Sequence, residues 1–179
     1  MKGSKAPKHY TSDFIHAETD HMQICMTPIG IVRSGYQERF AAPRQPSLDD
    51  PQPATIELNK GFNFEQALTD LDGFSHIWVL YWMHLNQGWN PTVMPPRGPK
   101  QRRGLFATRA PHRPNSIGLS AVRLISIKGR SLQIQGHDML DGTPVLDIKP
   151  YLPYADAIPD ADVGWTRLID APSAEADTR

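Results

Sequence analysis

A chain of 179 residues suits one domain and is short for two ordinary ones. Its 39% apolar and 21% charged residues are those of a soluble globular protein, and no apolar run approaches the roughly 20 residues of a membrane span. The formal net charge of zero excludes a uniformly basic nucleic-acid-binding domain, and one cysteine excludes an internal disulfide framework.

Residues 1–21 read as a polar, flexible leader without the apolar core of a secretory signal, so a cytoplasmic location is expected. Its His9, His16 and His21 have the spacing of no common metal site, and no metal is expected. Cys25, with no basic neighbour to activate it, reads as a small core residue. The first strand is expected within residues 22–32, interrupted at Pro28 and Gly30. Pro43, Pro46, Pro51 and Pro53 exclude a long helix in the loop that follows. Residues 55–58 alternate like a short strand. Asn63 can then cap a helix carrying Phe64, Ala67, Leu68 and Leu71 at helical spacing, ended by Gly73.

Residues 74–85 form the most apolar run, and Ile77, Trp78, Val79, Tyr81 and Trp82 favour a buried strand. Residues 88–103, with four prolines, read as loop. Strands are expected at 104–109, 119–127, 131–135 and 144–148, the middle two joined by a hairpin turn at Lys128-Gly129-Arg130. Beyond Pro159 the chain reads as loosely ordered. One short helix among six or seven strands excludes a doubly wound α/β fold. The expected fold is mainly β, a single closed or nearly closed antiparallel β-barrel, since closure removes exposed edges.

Zero net charge hides an asymmetry. Residues 97–130 hold nine Lys and Arg and no acid, whereas residues 151–179 hold six acids and two arginines. The first stretch is a candidate phosphate-facing surface, or a solvated face if folding disperses it.

There is no GxGxxG, P-loop, CxxC, HExxH or GxSxG. Polar residues concentrate in four segments punctuated by Gly and Pro. In residues 39–46, two prolines stiffen a loop presenting Arg44 and Gln45. His76 and His84 share strand parity and would face one side of a sheet. Residues 104–119 hold Arg109, Arg113 and Asn115 in a turn braced by Pro111 and Pro114, and a guanidinium fork suits carboxylate or phosphate. Residues 136–151 combine an Asp141-Gly142 turn signal with Asp138, Asp147, Lys149 and Tyr151.

The strings PIGIVRS, FAAPRQP, LDGFSHIWVLYWMH, GLFATRAPHRPNSIGLS and DMLDGTPVLDIKPYLPYAD resemble, in order, the signature blocks of the TsaA-like family. The resemblance runs from about Ile24 to Asp156 and marks a barrel domain over residues 22–156, with an acidic tail over 157–179. It implies a non-Rossmann, homodimeric methyltransferase that binds S-adenosyl-L-methionine near the dimer interface. The implied substrate is tRNA, methylated on the exocyclic nitrogen of threonylcarbamoyl-adenosine beside the anticodon. Some bacterial members carry a further C-terminal domain where this sequence has the acidic tail, so the barrel and its dimer are expected to grip tRNA alone.

By the same resemblance, Pro43, Arg44, Gln45, His84, Arg109, Leu119, Asp138, Met139, Leu140 and Asp141 are the implied cofactor contacts. Arg113, or alternatively Arg109, could clamp the threonyl carboxylate, with Asn115, Lys149, Arg102 and Arg103 as further substrate contacts. Transfer from a sulfonium is an in-line displacement dominated by alignment. The urea-like acceptor nitrogen would gain from a nearby carboxylate, for which Asp141 and Asp138 are candidates, Asp141 with Tyr151 being named as catalytic. Either carboxylate could equally hold the ribose hydroxyls or methionine amine of the cofactor. Asp138 and Asp141, three residues apart, could point into one pocket. Two alternatives stay open: a methyltransferase with another acceptor, and a barrel that binds RNA or the cofactor without catalysis.

Overall fold

The computed structural model describes residues 24–38, 41–46 and 51–170. In chain order the elements are β1 (Gly30–Ser34), β2 (Pro53–Leu58), the one-turn helix α1 (Phe64–Ala67), β3 (His76–Trp82), β4 (Thr92–Val93) and β5 (Arg103–Gly104). There follow β6 (Ile117–Lys128), β7 (Ser131–Gln135), β8 (Pro144–Pro150) and the one-turn helices α2 (Pro153–Asp156) and α3 (Arg167–Asp170). Six strands form a closed antiparallel barrel in the order β1-β2-β7-β6-β3-β8, and β4 and β5 make a separate two-stranded sheet. The expected mainly β, closed-barrel fold is the one observed.

Period-two alternation builds the interior. On β3, Ile77, Val79 and Tyr81 turn inward and are buried, while His76, Trp78, Leu80 and Trp82 face out. Val32, Ile56, Val122, Ile134 and Val145 do the same from five other strands, each at 0% exposure. A six-strand barrel is narrow enough for such side chains to fill, so its interior is a core and not a channel. Each burial is worth about 1.5–3 kcal/mol.

Two bulges modulate the alternation. Leu146 is the extra residue where the β3–β8 register shifts between Leu80 and Tyr81, and Ile125 is the extra residue between Leu124 and Ser126 on β6. Alternation alone leaves Ile125 exposed beside buried Leu124; the second bulge shifts the parity after it, so that Ile127 packs against the core. Closure is by β1 on β8, through Gly30↔Val145 and Ile31↔Pro144. The Val32 N–H extends it to the Thr143 carbonyl, and the Gly142 N–H returns to the Val32 carbonyl, both at 2.9 Å.

Several expectations are corrected. Cys25 is an exposed free thiol, not a core residue. The expected first strand begins only at Gly30, with Ile29 adding backbone bonds to Val145 and Asn59 just ahead of it; residues 22–23 lie outside the description, as do the leader histidines. Residues 104–109 do not form a strand: Leu105–Ala107 is a 3-10 turn, because the Thr108 N–H and Oγ1 both donate to the Leu105 carbonyl, at 3.0 and 2.8 Å. Residues 88–103, read as loop, contain β4, held by Arg102, whose Nε and Nη2 donate to Thr92 Oγ1 and O at 2.9 Å each.

Asn63 stands at the α1 N-cap position without a side-chain cap bond; its φ of 54° is left-handed, and its Nδ2 donates to Gln66 Oε1 at 2.7 Å. Beyond Pro159, Trp165 Nε1–H donates to the Ala107 carbonyl at 2.7 Å, and the Arg103 guanidinium lies 5.2 Å over its ring. Residues 171–179 lie outside the description.

Candidate active site

The register fixes one crowded end of the barrel. Ser34 of β1, Pro53 of β2, Trp82 of β3, Ile117 of β6 and Pro144 of β8 all lie toward it. Residues 136–143 cross this mouth from β7 to β8. Their backbone is pinned by the Asp141 N–H to the Tyr36 carbonyl, 2.9 Å, and by Ser34 Oγ–H to the Met139 carbonyl, 3.1 Å. Met139, 1% exposed, plugs the core below. At Asp141-Gly142 the chain reverses as its turn signal implies: Gly142 has φ 77°, and the Thr143 N–H bonds the Leu140 carbonyl at 3.2 Å.

Inside the mouth sits a small polar network. Asp138 Oδ1 accepts from Ser120 Oγ–H at 2.5 Å and from the Tyr81 hydroxyl at 3.3 Å. Tyr81 and Ser120 are both buried, on the inward faces of β3 and β6. Gly118 makes room for the phenol: a Cβ there would stand 2.2 Å from the Tyr81 ring. Burial, with the Asp138 charge beside it, pushes the Tyr81 phenol well above its ordinary value, so it remains a donor at neutral pH. Burial also raises the Asp138 carboxyl, against the opposing pull of the Ser120 and Tyr81 hydrogen bonds.

His137, 1% exposed, packs against the Tyr36 ring at 5.0 Å, and its Nδ1 accepts the Met139 N–H at 3.2 Å. Its Nε2 is buried with no hydrogen-bond partner among the described residues, although the Pro53 carbonyl is near the ring. Burial lowers its basicity, while the Asp138 charge pulls the other way.

The sequence candidates distribute unevenly around this mouth. Arg109 Nη1–H donates to Gln45 Oε1 at 2.7 Å, joining two distant segments, and Arg109 is close enough to Tyr81 to act on its phenol electrostatically. Gln45 Nε2–H in turn donates to the Arg44 carbonyl at 2.7 Å, and Pro43 is half-buried beside this exposed pair. His84 lies just past the end of β3, where its N–H returns to the Trp82 carbonyl at 2.8 Å. Strand parity with His76 therefore does not apply to it. Leu119 faces outward from β6, half exposed, with Leu140 half-buried in the mouth segment.

The two carboxylates diverge instead of sharing a pocket. Asp138 reaches Ser120 on β6, whereas Asp141 Oδ1 accepts the Ser34 N–H on β1 at 3.0 Å, and β1 lies opposite β6 in the ring. Asp141 borders a shallow cleft with Arg33, Thr55 and Gln133. Arg113 Nη1–H donates to the Thr108 and Ala110 carbonyls, at 3.1 and 3.4 Å, and its guanidinium lies 5.6 Å over Phe106. Asn115 is exposed just before β6. Lys149 pairs with Asp147 at 2.7 Å, and Tyr151 packs on Trp78 at 5.4 Å, outside the barrel.

Folding also divides the basic stretch. Arg97, Lys100 and Arg102 are exposed in the segment before β6, whereas Lys128 and Arg130 lie at the far end of that 12-residue strand, itself about 35 Å long. Sequence reasoning missed Tyr81, Ser120, Gly118 and His137. The available signal was hydroxyls at inward parity, since buried polar groups need partners.

A closed barrel with an apolar core, a carboxylate anchored in its mouth and no Gly-rich dinucleotide loop defines a small antiparallel β-barrel domain outside the Rossmann class. More specifically, the chain belongs to a family: residues 31–157 match the tRNA-methyltransferase O N-terminal domain. It is 44% identical over 154 residues to the tRNA (adenine(37)-N6)-methyltransferase of Escherichia coli, covering 82% of this chain and 65% of that protein. A Pyrococcus abyssi relative named "Probable S-adenosyl-L-methionine-binding protein" is 41% identical over 144 residues, covering 80% of this chain and 77% of its own length. The crystal structure of TrmO from Pseudomonas aeruginosa superposes with a TM-score of 0.67 at 45% identity, covering 80% of this chain and 62% of that one. This chain thus spans less than two-thirds of the length of the E. coli and P. aeruginosa proteins.

Proposed function

We propose that this protein is an S-adenosyl-L-methionine-dependent tRNA methyltransferase acting on the exocyclic nitrogen of threonylcarbamoyl-adenosine next to the anticodon. The observation that carries this reading is the mouth itself. Segments far apart in sequence, at 43–45, 109 and 136–143, meet around the Asp138 carboxylate and the Arg109–Gln45 bond. The E. coli relative's name supplies the reaction class, and the P. abyssi relative's name supplies the cofactor.

An anchored carboxylate beside exposed arginine and amide groups suits a ligand with ribose hydroxyls, a charged amine and a carboxylate. When bound, the cofactor supplies an electrophilic methyl group. Pro43, Arg44, Gln45, His84, Arg109, Leu119 and residues 138–141 are assigned to hold it. Arg113, whose Nη1 already braces the loop, is assigned the threonyl carboxylate through its remaining N–H groups. Asn115, Lys149, Arg102 and Arg103 are assigned to the RNA. Asp141 is the group proposed to act on the acceptor nitrogen, with Tyr151 as the second candidate.

The protein works as a homodimer in the cytoplasm on this reading. Half-exposed Trp82, Ile117 and Leu119 adjoin on the outer face of β3 and β6, an apolar surface of the kind that pairs subunits. Among the described residues no helix is long and apolar enough to cross a membrane.

Calorimetry should show one S-adenosyl-L-methionine bound per chain, and tRNA carrying threonylcarbamoyl-adenosine should gain one methyl group by nucleoside mass analysis. Absence of binding at millimolar cofactor would overturn the enzyme reading. Binding without methyl transfer would favour a barrel that holds the cofactor without catalysis.

A further inference from the structure

We propose that Tyr81 and Ser120 are positioning residues, which fix Oδ1 of Asp138 from inside the barrel so that Oδ2 is presented to the cofactor in one orientation. The inference rests on the reading that Asp138 contacts S-adenosyl-L-methionine. Its starting point is an oddity of the core. Barrel interiors of this width are filled by aliphatic side chains, yet two hydroxyls sit here on inward positions, at 7% and 1% exposure. A buried hydroxyl without a partner is destabilising, and both find the same oxygen of one carboxylate.

Both hydrogen bonds that other described residues give the Asp138 carboxylate end on Oδ1, and its own backbone N–H adds a further pull toward the charged form. A carboxylate held by one oxygen has one acceptor left, with its direction set by rigid strands and not by a flexible loop. Such preorganisation removes ordering cost from binding. Gly118 completes the device, because any side chain there would collide with the phenol. The β3–β8 bulge falls at Tyr81, where bulges re-aim side chains. A ribose hydroxyl pair or a methionine amine is the chemistry such an acceptor takes.

A merely structural network would satisfy the hydroxyls and leave ligand affinity alone. The two roles separate in the pH dependence of cofactor binding. Protonating Asp138 removes the acceptor, so affinity falls on its acid side. Hydrogen bonds to the charged form oppose protonation, so deleting the two hydroxyls raises the Asp138 pKa and moves that acid limb to higher pH. The titratable and charged groups facing the network are Tyr81 from β3, His137 from the mouth segment and Arg109 from the loop before β6; β6 itself offers Ser120, which does not titrate in this range.

The experiment measures S-adenosyl-L-methionine dissociation constants by calorimetry between about pH 5 and 8. The proteins are the natural chain, Tyr81→Phe, Ser120→Ala, the double variant, Asp138→Asn and a His137→Gln control. The double variant should bind about tenfold more weakly at neutral pH and show its acid limb at higher pH, displaced further than in His137→Gln, because the His137 charge is the weakest influence on the Asp138 carboxyl. Unchanged affinity and an unmoved limb in the double variant, with Asp138→Asn losing binding, overturns the positioning role and spares the cofactor reading. Full affinity in Asp138→Asn overturns both. Should the double variant fail to fold, Tyr81→Phe alone keeps the ring, and a carboxyl NMR titration of Asp138 reads the same shift.

Discussion

Replacing Gly118 with alanine is a small change with a large expected consequence. The added Cβ would lie 2.2 Å from Tyr81 Cε2 and Cζ and 2.7 Å from Cε1. Carbon atoms rest about 3.5–4 Å apart, so the ring must retreat by more than 1 Å within a nearly closed interior. Such overpacking costs about 1–3 kcal/mol. The hydroxyl bonds to Asp138 and Ser120, already 3.3 Å long, would break, at a further cost of about 1–3 kcal/mol for a buried unpaired hydroxyl. The sum is at least about 2 kcal/mol, which for a chain of this length lowers Tm by at least about 4 °C. In a Tyr81→Leu background the collision is gone, and Gly→Ala within a strand should be neutral or stabilising by about 0.5–1 kcal/mol. Thermal unfolding of the four proteins in this cycle measures the difference. An equal cost in both backgrounds would refute the idea that Gly118 exists to seat the phenol.

Other outcomes follow from the same geometry. The lowered basicity of buried His137 means the unfolded chain takes up its proton first, so stability is full above about pH 6.5 and declines as pH falls below it. Asp138, with its pKa raised, acts with the opposite sign at lower pH, and His137→Gln should flatten the decline in urea titrations. Asp141→Asn keeps an acceptor for the Ser34 N–H and should leave Tm nearly unchanged, whereas Asp141→Ala should cost about 0.5–1.5 kcal/mol. If Asp141 acts on the acceptor nitrogen, Asp141→Asn should also lower single-turnover methyl transfer by about a hundredfold or more with cofactor bound. Affinity for tRNA should fall steeply with salt, and Arg102→Ala with Arg103→Ala should reduce the log–log slope by about one to two; an unchanged slope would place both arginines away from the RNA.

The barrel was legible because its signal is local. The apolar, β-branched and aromatic run of β3, the alternation on β7 and the Gly129-Arg130 turn are written in adjacent residues, and absent helices excluded the α/β alternatives. The 104–109 error arose because a strand and a 3-10 turn place similar residues in so short a span, and the deciding Thr108 hydroxyl bond is not visible in composition. Cys25 was misplaced because residue type alone suggested burial, whereas residues 24–26 lie outside the barrel and are exposed. At the site, residues 136–143 stood out in the sequence by their polar, turn-forming composition, but the divergence of Asp138 and Asp141 depends on which strands face each other across a closed ring. Pairwise geometry of that kind, with Tyr81 and Ser120 converging from β3 and β6, has no period along the chain.

The join between β1 and β8 differs in kind from its neighbours. β3 and β6 share seven paired residues, whereas β1 and β8 share two, one of them Pro144, which has no N–H to give. Partners there are also more than a hundred residues apart in sequence, so closing the ring carries a large loop-closure cost before any contact repays it. This seam should zip last in refolding and exchange its amide hydrogens first in the native state, beginning at residues 29–32. The Val32–Gly142 and Val32–Thr143 bonds belong to the same seam. The segment that carries Asp138 is therefore fastened from two sides, and each transient opening of the seam should release its ties to Ser34 and Tyr36 while Ser120 and Tyr81 still hold Asp138.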